Sequence, residues 1–279
     1  MKHRKFGKTG HDVSIIGQGT WYIDHGDRKQ AVAALRRGLD LGMTHIDTAE
    51  MYGDAEPVIA EAIAGRRDET YLISKVLPSN ASRRGTIAAC ERSLKRLKTD
   101  RLDCYLLHWR GSFPLTETVE AFEQLVRSGK IRSWGVSNFD ADDLDELLDV
   151  AGEGRIACNQ VLYHLQERAI EHAVIPWCVK HDVAVVAYSP FGHDGFPDSH
   201  SKGGAVLQTI AKRHDVSLRQ VALAFLTREA NLFAIPKASR AEHAAENAAA
   251  GDLVLSADEM SLLDQVFPRG PKPRSLPML

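Results

Sequence analysis

Eight short apolar runs alternate with longer segments of helical periodicity along this chain. The runs, rich in β-branched and aliphatic residues, span 14–21, 44–49, 70–75, 102–109, 131–138, 155–160, 183–190 and 232–237. The candidate helices between and after them span 28–41, 55–64, 83–97, 116–128, 140–150, 168–181, 203–214 with 217–228, and 240–249. Such alternation is typical of repeated βα units around a parallel sheet. It predicts an α/β fold, specifically a (β/α)8 TIM barrel.

The length and the spacing of these units bear on domain organisation. A chain of 279 residues fits the size of one α/β barrel, and no linker-like segment interrupts the repeats. We therefore expect a single domain over residues 1–279. The stretch KFGKTGHDVS at 5–14 precedes the repeats and alternates around a Lys-Thr-Gly turn. It predicts a β-hairpin that closes the barrel floor.

Charge and hydropathy argue against several classes of partner. The formal net charge is −2 at pH 7, whereas binders of nucleic acid or anionic membranes need a basic surface. No stretch approaches the ~18 apolar residues of a membrane span, and the basic N-terminus is not followed by an apolar segment. The four cysteines are dispersed without a C-x-x-C pair, which favours buried reduced thiols. We expect a cytoplasmic protein with a small-molecule partner, and neither nucleic acid nor membrane.

Polar or aromatic residues stand at the end of each apolar run. They are Gln18 and Trp21, Asp47, Lys75, His108, Ser137 with Asn138, Gln160, Tyr188 with Ser189, and Lys237. In a (β/α)8 barrel the carboxyl ends of the strands meet at one mouth, where catalytic groups lie. Any one of these residues could instead cap the next helix, but Lys75, His108 and Gln160 are poor caps. The sequence therefore predicts a site at the barrel mouth.

Four residues at this mouth have the chemistry that reduction of an aldehyde or ketone needs. The candidate catalytic residues are Asp47, Tyr52, Lys75 and His108. A free tyrosine has a pKa near 10, which a nearby ammonium such as Lys75 lowers. Tyr52 would then act as the general acid at the carbonyl oxygen. Asp47 would keep Lys75 protonated, and His108 would orient the carbonyl as a hydrogen-bond donor.

Longer motifs resemble those of the aldo-keto reductases over nearly the whole chain. The matching motifs are GQGTW (17–21), HIDTAEMYG (45–53) with Glu56, LISK (72–75), LLHW (106–109), GKIRSWGVSNF (129–139), NQVLYH (159–164), AYSP (187–190), and IPKAS (235–239) followed by EN (246–247). The resemblance implies a TIM barrel in which the four candidate residues form the catalytic tetrad, with tyrosine as the acid. It agrees with the assignment made from their chemistry.

The resemblance also implies a nicotinamide dinucleotide that lies across the barrel mouth without a Rossmann domain. No G-x-G-x-x-G follows a strand in this chain. The residues implied to bind the cofactor are Gly19, Thr20, Trp21, Asp47, Ser137, Asn138, Gln160, Tyr188, Ser189, Pro190, Phe191, Gly192, Ile235, Pro236, Lys237, Ala238, Ser239, His243, Glu246 and Asn247. By the same resemblance, Ser137, Asn138 and Gln160 hold the carboxamide, and Tyr188 stacks on the nicotinamide ring.

Two departures from the family pattern concern the choice between NADPH and NADH. Many NADPH-dependent members have a serine after the lysine of IPK and an arginine at the 2′-phosphate, whereas this chain has Ala238 and His243. Lys237 remains, and Arg240 lies on the loop that would face the same phosphate. We expect NADPH as the cofactor, with NADH as an alternative.

The substrate pocket is expected to have aromatic walls. Candidate substrate contacts are Trp21, Tyr22, Tyr52, His108 and Trp109. Such a lining suits small or flat carbonyl compounds, and the resemblance is to bacterial members that reduce methylglyoxal and related aldehydes. Arg110 is interpreted as a solvated surface residue rather than a contact for an acidic substrate. In the proline-rich tail, we expect Leu276, Met278 and Leu279 to fold over the mouth.

Two other functions remain open from the residues alone. Lys75 could form a Schiff base with substrate, as in aldolases, although Asp47 would oppose the deprotonation that this requires. The barrel could also bind nucleotide and regulate a partner with little catalysis. A metal site is not expected, because the His and Asp residues of 193–200 share one loop and match no zinc pattern. By resemblance we expect a monomer, with a weak dimer as an alternative.

Overall fold

The computed structural model describes residues 1–279, and its central feature is an eight-stranded parallel sheet. The strands are β1 (His3–Lys5), β2 (Asp12–Ser14), β3 (Gln18–Gly19), β4 (His45–Asp47), β5 (Tyr71–Val76), β6 (Leu102–Leu107), β7 (Ile131–Ser137), β8 (Ile156–Leu162), β9 (Ala184–Tyr188) and β10 (Leu232–Ala234). Strands β3 to β10 are neighbours in chain order, and each pairs in parallel with the next. Every residue of β5, β6 and β8 is buried, as expected for strands covered on both faces.

The sheet closes into a barrel where the first and last of these strands meet. Ile16 pairs in parallel with Ala234, and Gly19 pairs with Lys237. A side chain at Gly19 would place its Cβ 2.5 Å from the carbonyl oxygen of Ile235. Only glycine therefore permits this approach of the two backbones. The predicted α/β barrel is confirmed, with all eight predicted strands present.

Helices cover the outside of the sheet. They are α1 (Arg28–Asp40), α2 (Ala55–Ala62), α3 (Arg83–Leu97), α4 (Leu115–Arg127), α5 (Ala141–Ala151), α6 (Val174–His181), α7 (Lys202–His214), α8 (Leu218–Leu226), α9 (Ala241–Ala249) and α10 (Ala257–Val266). Each predicted helix has a counterpart among them, at similar bounds in most cases. None of the ten is both long and apolar enough to cross a membrane.

Two helices differ from the prediction for local reasons. Helix α6 begins at Val174 instead of 168, because Pro176 is tolerated only in a first turn, where its missing N–H is not needed. Helix α10 was not predicted. Its start carries a capping box in which the Ser256 hydroxyl accepts from the Glu259 amide and the Glu259 carboxylate accepts from the Ser256 amide. That signal was readable in the sequence.

The N-terminal hairpin covers the floor of the barrel. Strands β1 and β2 pair antiparallel in register His3 to Ser14. Phe6, in the connection between them, is fully buried. Its ring lies 5.8 Å from His45, and 5.1 Å from both Tyr71 and Phe233, measured between ring centroids. The hairpin thus seals the amino ends of the strands and leaves the carboxyl ends as the open mouth.

Candidate active site

The four candidate catalytic residues come together at the mouth from neighbouring strands. Asp47 is the last residue of β4, Lys75 lies near the end of β5, and His108 directly follows β6. Tyr52 lies in the connection between β4 and α2. Because these strands are parallel neighbours, their carboxyl ends lie side by side. The sequence thus placed all four side chains at the correct end of the barrel.

Asp47 and Lys75 form a buried ion pair. The Lys75 Nζ lies 2.5 Å from Asp47 Oδ1 and donates also to the Thr48 carbonyl oxygen at 2.8 Å. The amide of Gln160 donates to Asp47 Oδ2 at 2.7 Å. Burial alone would lower the pKa of Lys75, but Asp47 and Tyr52 outweigh it and the net shift is upward. Lys75 therefore stays an ammonium, which opposes the Schiff-base alternative.

Tyr52 lies beside this ammonium. The Lys75 Nζ is 5.0 Å from the centroid of the Tyr52 ring. Burial raises the pKa of Tyr52, Lys75 acts to lower it, and the net shift is upward. The expected downward shift is therefore wrong in net direction for this structure, although Lys75 contributes with the expected sign. Desolvation of the phenol is the larger effect.

His108 faces Tyr52 from the carboxyl end of β6. The two rings are 5.7 Å apart between centroids and inclined at 73°. Burial, and then the positive charge of Lys75, lower the pKa of His108 to about 2. The Asn138 amide donates to the His108 carbonyl oxygen at 3.1 Å and so anchors its backbone. His108 is neutral at ordinary pH and suits a hydrogen-bonding role instead of that of a cation.

Two adjoining cavities open at this mouth. A cavity of about 210 Å³ is lined by Gly19, Thr20, Trp21, Asp47, Tyr52, Gln160, Tyr188, Ser189, Pro190, Phe191, Gly192, Ile235 and Lys237. A second, of about 110 Å³, is lined by Trp21, Met51, Tyr52, His108, Trp109, Ser137, Asn138, Gln160, Tyr188 and Leu279. Trp21, Tyr52, Gln160 and Tyr188 belong to both linings. A ligand in the larger cavity would therefore meet one in the smaller cavity beside Tyr52.

Polar side chains in the smaller cavity are held in fixed orientations. Tyr188 donates from its hydroxyl to Asn138 Oδ1 at 2.9 Å, and Asn138 Nδ2 donates to Ser137 Oγ at 3.2 Å. Asn138 and Ser189 both have left-handed backbones, with φ of 61° and 47°. Non-glycine residues rarely adopt this conformation, and such residues are common at binding sites. Amide and hydroxyl groups next to a flat aromatic ring fit a planar carboxamide.

Some of the residues implied to bind the cofactor lie outside both cavities. They are Pro236, Ala238, Ser239, His243, Glu246 and Asn247. Pro236 directly precedes Lys237, and the other five follow Lys237 along the chain into α9. Arg240 and His243 are exposed there, and Arg240 Nη2 lies 2.8 Å from His243 Nε2.

The predicted substrate contacts are mostly placed in the smaller cavity. Trp21, Tyr52, His108 and Trp109 line it, whereas Tyr22 does not. Tyr22 is 47% exposed and stacks on Trp21 with ring centroids 4.5 Å apart. It therefore supports a wall of the cavity from outside.

The predictions for residues that flank this cavity were only partly confirmed. Arg110 pairs with Glu146 at 2.9 Å and lines neither cavity, as expected for a residue that does not contact substrate. It is half-buried instead of fully solvated, and its Nη1 has no hydrogen-bond partner. Of the tail residues, Leu279 lies over the mouth, where its amide donates to the Tyr188 hydroxyl at 3.3 Å. Leu276 lies in a different cavity. Met51 was missed, although its place next to Tyr52 was a usable signal.

Comparisons with known proteins bear on this arrangement. The Aldo/keto reductase family is matched over residues 15–267. The chain belongs to the aldo/keto reductase family. Among aldo/keto reductases, it is 49% identical over 263 residues to the methylglyoxal reductase YeaE of Escherichia coli (strain K12), a match that covers 92% of this chain and 93% of that protein. It is 33% identical over 258 residues to the glyoxal reductase of Bacillus subtilis (strain 168), covering 91% and 89% of the two chains.

A solved aldo/keto reductase shares the architecture. The crystal structure of an aldo-keto reductase from Klebsiella pneumoniae in complex with NADPH superposes with a TM-score of 0.93. It has 47% sequence identity, and the match covers 100% of this chain and 99% of the other. The barrel observed here is thus the fold of an aldo/keto reductase.

Proposed function

We propose that this protein reduces small aldehydes and ketones, among them 2-oxoaldehydes such as methylglyoxal, to alcohols with NADPH as cofactor. The observation that carries this proposal is the buried Asp47–Lys75 pair beside Tyr52 at the junction of the two cavities. The relatives named as methylglyoxal and glyoxal reductases, and the Klebsiella enzyme crystallised with NADPH, support the choice of substrate and cofactor.

In this proposal Tyr52 is the general acid. Its raised pKa keeps the hydroxyl protonated at neutral pH, so the proton is available for the carbonyl oxygen as negative charge develops there. The ammonium of Lys75 stabilises the tyrosinate that remains, and Asp47 holds that ammonium in place. Neutral His108 donates a hydrogen bond that orients the carbonyl.

The cofactor residues are proposed from their positions around the larger cavity and, for Ser137 and Asn138, in the adjoining smaller cavity. NADPH, when bound, supplies the hydride for the carbonyl carbon. Ser137, Asn138 and Gln160 would hold its carboxamide, and the Tyr188 ring would pack against the nicotinamide. Lys237 and, outside the cavity, Arg240 would face the adenosine phosphate.

The size of the smaller cavity supports a small substrate. It measures about 110 Å³ and has the aromatic walls Trp21 and Trp109 next to Tyr52. A compact carbonyl compound fits such a space, with one flat face against an indole ring.

The experiment that tests the proposed function follows nicotinamide absorbance with purified protein. NADPH and NADH are compared in turn against methylglyoxal, phenylglyoxal and benzaldehyde, with an aldehyde-free reaction as control. We expect aldehyde-dependent oxidation of the cofactor, faster with NADPH. If no aldehyde caused oxidation of the cofactor although NADPH bound tightly, the alternative of a nucleotide-binding regulatory barrel would be favoured.

We also infer that residues 1–279 act as one domain and as a cytoplasmic monomer. The four cysteines are free and buried, which suits a reducing compartment. Only six large apolar side chains are exposed, and two of them, Met51 and Leu279, line the smaller cavity at the mouth; so small a number is usual for monomers. Light scattering on the eluted protein should give the chain mass of 30.8 kDa. Cell fractionation tests the location.

A further inference from the structure

A cleft of about 350 Å³ lies at the end of the barrel opposite the catalytic mouth. Its walls come from β1, from the segment 227–229 before β10, and from the segment 253–260 that leads into α10. These segments adjoin the hairpin that covers the barrel floor. The cleft is larger than either cavity at the mouth, of about 210 and 110 Å³. It reaches the size range of small-molecule sites.

Arg4 stands in the wall of this cleft with part of its guanidinium unused. Its Nη1 donates to the carbonyl oxygens of Thr227 at 2.8 Å, of Leu232 at 3.4 Å, and of Glu229. These contacts fix the side chain in place. Its Nε and Nη2 groups make no hydrogen bond within the protein. A rigid pair of N–H donors is thus left for a ligand.

The charge of Arg4 has no counter-charge in the protein. Burial lowers the pKa of Arg4, and no carboxylate acts to raise it. Lys2, also in the lining, makes no ion pair either. The third cation, Arg228, is satisfied by Glu171 at 3.0 Å, and the lining acid Glu229 lies 3.9 Å from Arg228. The cleft therefore keeps unmatched positive charge at Arg4 and Lys2.

The remaining walls are mostly apolar. Seven of the twelve lining residues are hydrophobic, among them Ile15, Leu255 and Met260. Val254, also in the lining, is 66% exposed. Unmatched cations beside an apolar wall are complementary to an amphipathic anion, and a guanidinium fork matches the two oxygens of a carboxylate.

We propose that this cleft binds a monocarboxylate with an apolar chain, its carboxylate on Arg4 and its chain against Ile15, Leu255 and Met260. The site is separate from the catalytic mouth, and the proposal does not depend on the reaction catalysed there.

Titration calorimetry on the whole protein tests the ligand class. Octanoate is compared with octan-1-ol, which lacks the charge, and with acetate, which lacks the chain. We expect octanoate to bind at one site, and both comparison compounds to bind at least about tenfold more weakly, the loss typical of one charged hydrogen bond. Equal binding of octan-1-ol, or no binding of octanoate, would overturn the proposal.

Variants test the location. Arg4→Gln removes the fork, but it also disturbs the carbonyl contacts. Ala257→Trp fills the cleft from an exposed position of its lining and leaves Arg4 intact. We expect at least about a tenfold loss of octanoate affinity in both, with aldehyde reduction unchanged in Ala257→Trp. Ala205→Trp, exposed near the start of α7, is the matched control and should bind as the wild type does. Full octanoate affinity in Ala257→Trp would place the acid elsewhere, such as the catalytic mouth.

Discussion

At the scale of single residues, two opposing effects act on the protonation of Tyr52. Its burial favours the neutral phenol, and the ammonium of Lys75 favours the tyrosinate. A proton donor that must give up its proton only during the reaction benefits from both. It stays protonated while free, and its conjugate base is stabilised once formed.

Removal of the Tyr52 hydroxyl should abolish most turnover while cofactor binding survives. We expect Tyr52→Phe to lower kcat by about 10²-fold or more, because general acid catalysis typically supplies that factor. The measurement is steady-state kcat with methylglyoxal, together with NADPH affinity from quenching of protein fluorescence. Tyr22→Phe is the matched control, since Tyr22 lies at the same mouth and lines neither cavity. Full turnover in Tyr52→Phe would contradict the assigned role.

Asp47→Asn should destabilise the protein as well as inactivate it. Lys75 is fully buried and has no other carboxylate partner. The change therefore leaves its positive charge buried without a counter-charge. Breaking a buried pair in this way costs about 3–5 kcal/mol. Urea unfolding measures it. Glu146→Gln, which breaks the exposed pair with Arg110, should cost less than about 1 kcal/mol. A similar small cost for Asp47→Asn would refute the prediction.

The pH dependence of kcat/KM follows from the two shifted groups. The acid form of Tyr52 is active, so activity is lost as pH rises through its pKa, which lies above the ordinary value of 10.0. His108, with a pKa of about 2, stays neutral throughout. We expect a flat profile between about pH 6 and 9. A decrease in kcat/KM near neutral pH would show that a group other than Tyr52 donates the proton.

At the scale of elements, strand β4 contains a buried histidine, His45, besides the His108 that follows β6 at the mouth. His45 is completely buried beneath Phe6 on the barrel floor, and neither ring nitrogen has a partner. Burial is the main cause that lowers the pKa of His45 from 6.5 to about 4. The unfolded chain therefore takes up a proton at higher pH than the folded one.

Stability should fall with acid through this residue. The contribution of neutral His45 to the free energy of unfolding is complete above the unfolded pKa of 6.5. It is lost as the pH falls towards the folded pKa of about 4. The loss amounts to about 3 kcal/mol. Free energies of unfolding in urea at about pH 7.5 and about pH 4.5 should differ by less in His45→Gln than in the wild type. Equal differences in the two proteins would assign the acid sensitivity to other groups.

The loop before helix α9 bears on cofactor choice. Arg240 is exposed and contacts His243, where it would meet a phosphate beyond Lys237. We expect Arg240→Ala to lower kcat/KM for NADPH by about tenfold, with little change for NADH, because a charged hydrogen bond is lost. Arg240→Lys keeps the charge and should lose less. Equal losses with both cofactors would indicate a structural role instead.

The elements themselves were largely predictable from the sequence, and the exceptions have local causes. Apolar runs and helical periodicity report burial directly, so β3 to β10 and most helices fell where expected. The predicted start of α6 at 168 is six residues too early, because Pro176 is tolerated only in the first turn of a helix. Helix α10 was overlooked despite its Ser256 capping box.

At the scale of the whole molecule, the site was predictable to the extent that barrel topology fixes it. Once the strands were ordered, Asp47, Lys75 and His108 had to converge. The net pKa shift of Tyr52 was not predictable, because it depends on how much solvent the assembled mouth excludes. The cleft around Arg4 was beyond prediction for a similar reason, because it arises from contacts between distant parts of the chain.

The seam between β3 and β10 has a consequence for how this protein is made. During synthesis β3 leaves the ribosome early and β10 late. The edges of the sheet therefore stay unpaired until Ala234 can pair with Ile16. During that interval unpaired strand edges and apolar faces are exposed to other chains. Until then the larger cavity at the mouth also lacks the wall that contains Ile235 and Lys237. Growing chains should therefore engage chaperones, and NADPH should give no protection from proteolysis until β10 has emerged.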